Sequence, residues 1–155
     1  MKIRRAAEQD LADLHRLLLQ VNLVHHRGRP DLFRAGGAKY TDRQLLDLIR
    51  DDTRPVFVAA GNGRVLGYAF CILRQYRDDN IRTELRELYL DDLCVDEAAR
   101  GGGIGRQLYE HVRSFARQEG CYHVTLNVWS CNPDAVRFYE SCGLKPLKIG
   151  MEAIL

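Results

Sequence analysis

The stretch RGGGIGRQLYEHV, residues 100–112, places four glycines within positions 101–105 and then passes straight into a helical pattern. Glycine at the entrance of a helix weakens it, because a residue with no side chain loses the most backbone freedom on folding. A chain that accepts this cost needs bare backbone there. The stretch follows ELRELYLDDLCVDE (84–97), which reads as a long strand. It opens a helix over 104–119, in which Ile104, Leu108, Val112, Phe115 and Ala116 share one face before Gly120 stops it. The first N–H groups of a helix lack partners and lie at the positive end of its dipole, so a glycine loop placed there can receive a large phosphate. Taken alone, the loop is equally a ligand-free turn.

Working outward, KIRRA (2–6) reads as a first strand. Leu11, Leu14, Leu17, Leu18 and Val21 mark a helix over residues 8 to about 26. HHRGRPDLFRAGG (25–37) is polar, broken by Gly and Pro, and loop-like. TDRQLLDLIRDD (41–52) is a second helix, capped by Thr41 and buried through Leu45, Leu46 and Ile49. PVFVAAGNGRVLGYAFCIL (55–73) is a hairpin turning at Asn62-Gly63. YHVTLNVW (122–129) is a strand and NPDAVRFYESCG (132–143) a helix with Asn132 as cap, Pro133 in the first turn and Gly143 at the end. LKPLKIGMEAIL (144–155) reads as a closing strand. The order β-α-α-β-β-β-α-β-α-β implies an α/β mixed sheet with helices on both faces, in one domain over 1–155.

The gross composition excludes several classes. A net charge of +2 is too small an excess to argue for a nucleic-acid partner. No apolar run approaches the roughly 20 residues of a membrane span, and MKIRRAAEQDL lacks the apolar core of a signal peptide. Five cysteines, an odd number without C-x-x-C spacing, imply free thiols in a reducing cytoplasm. No metal-ligand pattern is present: His25 and His26 are adjacent rather than spaced along one helix face and read as surface residues. The glycine loop is neither of two familiar nucleotide loops. G-x-G-x-x-G counted from Gly101 fails at Arg106, and no Gly-Lys-[Ser/Thr] triplet of a P-loop occurs.

What remains is R-x-x-G-x-G, made by Arg100, Gly103 and Gly105. With LCVDEAARGGGIGRQLYEHV around it, this resembles the GNAT superfamily of acyl-CoA N-acyltransferases, whose [R/Q]-x-x-G-x-G/A loop binds the coenzyme A pyrophosphate. A second family signature, an asparagine-led helix with F-Y-x-x-x-G, is matched by NPDAVRFYESCGL, about 30 residues further on. The resemblance covers nearly the whole chain. It implies the GNAT fold, a mostly antiparallel sheet splayed at the coenzyme site, with acetyl-CoA as co-substrate and no metal. It also implies a pyrophosphate shell of Arg100, Gly101, Gly103, Gly105 and Arg106, and pantetheine contacts from the backbone of Leu93, Cys94 and Val95. Asn132 would touch the coenzyme or a water while capping its helix. Family habit implies a homodimer, with closing strands paired across subunits.

Acyl transfer from a thioester to an amine needs a base for an amine of pKa ~10.4, a stabiliser for the carbonyl oxygen, and a proton for the leaving thiolate. The resemblance puts Tyr139 at the coenzyme sulfur as the acid; without the motif Tyr139 reads as a core residue beside Phe138. The strand offers Glu87, Asp91 and Asp92 for the base. Period-two alternation sets Glu87, Tyr89 and Asp91 on one face and Asp92 on the other, until any bulge. Asp91 occupies the place of the acid used near the amine in spermidine/spermine-type members and is the first candidate, with Asp92 and Glu87 next. Asp31, Phe33 and Tyr40 lie in the segment that lines the acceptor site in related enzymes, and Trp129 is a core or interface residue at a strand end.

The expected activity is thus transfer of acetyl from acetyl-CoA to a primary amine by direct attack in a ternary complex, the acceptor being a small cationic amine such as a polyamine. A protein N-terminus or lysine is the alternative acceptor, and a non-catalytic coenzyme A-binding module the alternative class. A nucleotide-binding α/β protein is the third reading.

Overall fold

The long strand read from ELRELYLDDLCVDE organises the structure, a computed structural model that describes residues 1–155. It forms as β4 (Leu85–Val95), and it pairs antiparallel along its length with β3 (Arg64–Tyr76). On its other edge it pairs in parallel with β5 (His123–Thr125), and only at Glu87, Leu88 and Tyr89. β1 (Lys2–Arg5) and β2 (Val56–Gly61) complete a five-stranded sheet in the order β1-β2-β3-β4-β5. The β2–β3 hairpin turns at Asn62-Gly63, where Asn62 has φ 52° and Gly63 φ 74°, the left-handed pair that matches strand twist.

One face of the sheet carries α1 (Leu11–Gly28) and α2 (Asp42–Ile49). Leu14, Leu17, Leu18, Leu45 and Leu48 pack there with Val56, Val58, Tyr68, Phe70 and Cys94. Thr41 caps α2, its hydroxyl accepting from the Gln44 N–H while the Gln44 side chain accepts from the Thr41 N–H. The other face carries α3 (Ile104–Gln118) and α4 (Pro133–Ser141). Tyr109, Val112 and Ala116 are buried there with Phe57, Ala69, Cys71, Leu88 and Leu90, and Phe138 and Tyr139 pack against this cluster.

Three expectations change. The first helix starts with a 3-10 turn (Glu8–Asp10) and runs two residues further than its apolar spacing indicated, to Gly28. The strand expected over 122–129 keeps only three paired residues, since the chain leaves β4 after Thr125; Trp129 therefore lies in the loop before α4 and not at a strand end. The closing strand does not form. Residues 144–155 have an apolar pattern but no partner strand, so they stay irregular, with Leu147, Ile149, Met151, Ile154 and Leu155 exposed.

Candidate active site

The early departure of β5 leaves one edge of β4 unpaired from Leu90 to Val95. The Asp96 N–H donates to Leu66 C=O at 2.8 Å, so Asp96 faces β3. Alternation then turns the main chain of Val95 and Leu93 toward the open edge and that of Cys94 toward β3. Arg100 reports the same direction, because its Nε donates to Val95 C=O at 3.1 Å. Of the three residues expected to offer free backbone, Leu93 and Val95 do and Cys94 does not. The Cys94 side chain is buried on the α1 face, its Sγ 3.7 Å from Leu17 C=O, and burial pushes its thiol up to about 12.

The glycine loop continues from this edge. Asp96 anchors it, its carboxylate bound by Arg16 from α1 at 2.5 Å and accepting from the Ala98 N–H. Gly101 (φ 83°) and Gly103 (φ 75°) are both left-handed, and Gly103 is the cap of α3. A Cβ at Gly101 would meet nothing within 4 Å, and one at Gly103 only the Gln107 amide at 3.9 Å. These two bare positions face open space at a helix start, the form an anion cradle takes. Gly105 serves another need: a Cβ there would lie 3.3 Å from the Phe138 ring and 3.5 Å from Val95, so it lets α3 and α4 close on one another. Arg106 bridges the same pair of helices, its Nη2 donating to the carbonyl and hydroxyl of Ser141, each at 3.1 Å.

Tyr139 stands on α4 beside Phe138, ring centroids 5.1 Å apart. Its hydroxyl makes no hydrogen bond within the chain, and the chain has no buried side-chain polar atom lacking a partner; the hydroxyl is therefore not sealed from solvent. Burial raises its pKa well above the usual phenol value, and the nearby Asp92 charge raises it further. Asn132 caps α4, its Oδ1 accepting from the Ala135 N–H at 3.2 Å.

The two adjacent acids share a face, which plain alternation forbids. The β3–β4 register shifts between Phe70, opposite Asp92, and Cys71, opposite Leu90, so Asp91 is the extra residue of a β-bulge. The bulge swings Asp92 to the α1/α2 face alongside Asp91. Asp92 accepts from the Tyr68 hydroxyl at 2.9 Å, its one side-chain donor, and burial raises its pKa to about 6. Asp91 is otherwise engaged: its Oδ2 accepts from Lys39 Nζ at 2.8 Å and from the Tyr40 hydroxyl at 2.7 Å. Glu87 is four residues back along the strand, about 13 Å at the usual rise. Thr125 and Tyr76 donate to it, and Arg74 and His123 stand at 3.7 and 3.6 Å. Burial alone would raise its pKa, but these hydrogen bonds and charges hold it below the usual carboxylate range.

The pattern of the Acetyltransferase (GNAT) family matches residues 22–144. The chain belongs to the GNAT family of acetyltransferases. Among GNAT relatives, glucosamine 6-phosphate N-acetyltransferase 1 of Oryza sativa subsp. japonica is 36% identical over 63 residues, which are 41% of this chain and 36% of the relative. Thialysine N-epsilon-acetyltransferase of Sus scrofa is 36% identical over 62 residues, 40% of this chain and 36% of the relative. The matched segment thus spans about a third of these curated relatives. The crystal structure of a tetramutant of the BH1408 protein from Bacillus halodurans superposes with a TM-score of 0.95 at 31% identity, covering 100% of both chains.

The cradle, the open edge and the Tyr139 hydroxyl lie toward α3 and α4, while Asp91 and Asp92 lie toward α1 and α2. The loop after α1 closes over the acid side. Phe33 packs on His25 (5.0 Å) and edge-on to Trp129 (5.1 Å), and its carbonyl is 2.7 Å from His26 Nδ1. Neither histidine is the plain surface residue the sequence suggested; both are half-buried. Lys39, Tyr68 and Trp129 join the site in ways the sequence did not indicate. Only for Tyr68 was there a signal, a polar-tipped aromatic in an otherwise apolar strand, whose hydroxyl must find a partner when buried. No group of three or more His, Cys, Asp or Glu is arranged to hold a metal ion, and no helix is long and apolar enough to cross a membrane.

Proposed function

We propose that the protein is an acetyl-CoA-dependent N-acetyltransferase acting on a small cationic amine, with Asp92 rather than Asp91 as the base. What supports this reading is that the Asp92 charge acts on the unbonded Tyr139 hydroxyl across the stretch of β4 that β5 leaves unpaired. Acetyl-CoA supplies the activated thioester. The Gly101–Gly103 loop and the start of α3 receive the pyrophosphate, with Arg100 and Arg106 at its rim and Asn132 at the start of α4. The free edge at Leu93 and Val95 pairs with the pantetheine amides. Asp92 takes the proton from the attacking amine, and the Tyr139 hydroxyl donates to the departing sulfur. A phenol held above its ordinary pKa stays protonated until a thiolate forms beside it. Asp91 and Asp92 favour a cationic acceptor, and Phe33 and Trp129 give that acceptor an apolar wall.

The test is thiol release from acetyl-CoA over a panel of diamines, polyamines, amino-acid amines, amino sugars and peptides, with Tyr139→Phe as control. Turnover with small cationic amines, reduced in the variant, is expected. Turnover confined to peptides would make the protein a protein acetyltransferase. Binding of acetyl-CoA without turnover on any amine would make it a coenzyme-binding module.

We infer a homodimer on the same footing. The five exposed apolar side chains of the tail need cover, and Glu152 fixes that tail through its ion pair with Arg29. Sedimentation is expected to give a dimer for the full chain and a monomer for a chain cut after Leu144. A monomeric full chain would overturn it.

A further inference from the structure

Lys39 is seated as an acceptor amine would be. Its ammonium donates to Asp91 Oδ2 at 2.8 Å and approaches Asp91 C=O at 3.4 Å, and it lies 5.6 Å from the Tyr40 ring centroid. The Asp91 carboxylate and the ring of Tyr40 both attract a cation, and Asp92 stands next along the same face. The seat is built. Tyr40 donates to the same oxygen of Asp91 and stacks at 5.4 Å on Phe70, which stacks at 4.8 Å on Tyr68, the donor to Asp92. The Lys39 charge is close enough to act on Asp92, and the Asp92 charge on Tyr139. The Lys39 side chain is 42% exposed, so an acyl donor can reach its ammonium from solvent while Ala38 and Tyr40 on either side stay packed against the core. Of the four lysines, Lys2 is on β1 and Lys145 and Lys148 are on the tail, and Lys39 alone among them bonds to Asp91.

We propose that Lys39 is acetylated in cis, as the enzyme's own internal acceptor. The inference rests on the acetyltransferase reading above. The Lys39 ammonium gives one proton to Asp92, and thence to solvent, and its Nζ attacks the thioester carbonyl carbon. The N–C bond forms and the C–S bond breaks, the sulfur leaving with the bonding pair. The second proton shed by nitrogen as the amide forms balances the one the sulfur gains through Tyr139. The product is an uncharged N-acetyl-lysine. It can no longer pair with Asp91, so the modification frees that carboxylate for a cationic acceptor from solution.

The test is to incubate the full chain with acetyl-CoA and no acceptor and to map acetyl groups by peptide mass spectrometry, while thiol release with the amine panel is followed on the same preparation. One acetyl group at Lys39 is expected, at a rate per chain independent of protein concentration, absent in Asp92→Asn and in Lys39→Arg. Label spread over Lys2, Lys145 and Lys148, or equally present in Asp92→Asn, would mean uncatalysed chemistry and overturn the proposal. A rate proportional to protein concentration would overturn the cis step. A preparation that turns over amines but leaves Lys39 free would overturn this inference alone. One that neither binds acetyl-CoA nor releases thiol would overturn the parent reading and this inference with it.

Discussion

Replacing Asp92 with asparagine is expected to lower kcat by about 10²–10⁴-fold, the usual contribution of a general base and some 3–5 kcal/mol of barrier at 1.36 kcal/mol per decade. Asparagine keeps the size and can still accept from Tyr68, so acetyl-CoA binding and the melting temperature should change little. The same expectation fixes the pH profile. Burial pushes the Asp92 carboxyl up to about 6, and a general base acts in its ionised form. kcat/KM should therefore be maintained above pH 6 and fall about tenfold per unit below it, as protonation removes the base. The Asp92→Asn variant should lack that break. Asp91→Asn should instead change KM for a cationic acceptor more than kcat, since Asp91 is already bonded by Lys39 and Tyr40 and would attract the acceptor's charge rather than take its proton. If Asp91→Asn shows the large kcat loss and Asp92→Asn does not, the assignment of the base is reversed.

Gly103→Glu is expected to abolish the stabilisation that acetyl-CoA confers, about 2.7 kcal/mol at 100 times the dissociation constant. Two effects combine at this position. The left-handed backbone is strained by any side chain, roughly 1–2 kcal/mol, and the new carboxylate would project into the space where phosphate charge must sit. Gly120→Glu separates them. Gly120 (φ 68°) has the same handedness and the same open surroundings, but it lies at the far end of α3. It should cost similar stability and leave the acetyl-CoA response intact. Arg106→Ala should weaken binding less than Gly103→Glu, because the cradle is made of backbone amides and the guanidinium already bridges to Ser141. Equal loss of the response in Gly103→Glu and Gly120→Glu would mean that fold damage, not the cradle, was being read.

Local chemistry carried most of the architecture. The Asn62-Gly63 turn, the Thr41 cap with Gln44, the Asn132-Pro133 start of α4 and the Gly120 stop all form where residue type alone placed them, because each rests on interactions within a few residues. The closing strand failed for the opposite reason. LKPLKIGMEAIL has strand-like apolar content, but a strand needs a paired edge, and this segment pairs with none of the five strands.

The sequence by itself determined the family, through two motifs at fixed separation, and with it the loop, the helix start and the tyrosine that the proposed coenzyme site uses. Only the tertiary structure decided which partners each acid has. A bulge is a register event between two strands, invisible to period-two counting along one of them, and it turned Asp92 to the face where alternation had put Asp91 alone. Lys39 comes to Asp91 across 52 residues, and Tyr68 to Asp92 across 24. Such pairings belong to the folded topology, since no local pattern encodes which distant side chain will arrive beside a given carboxylate.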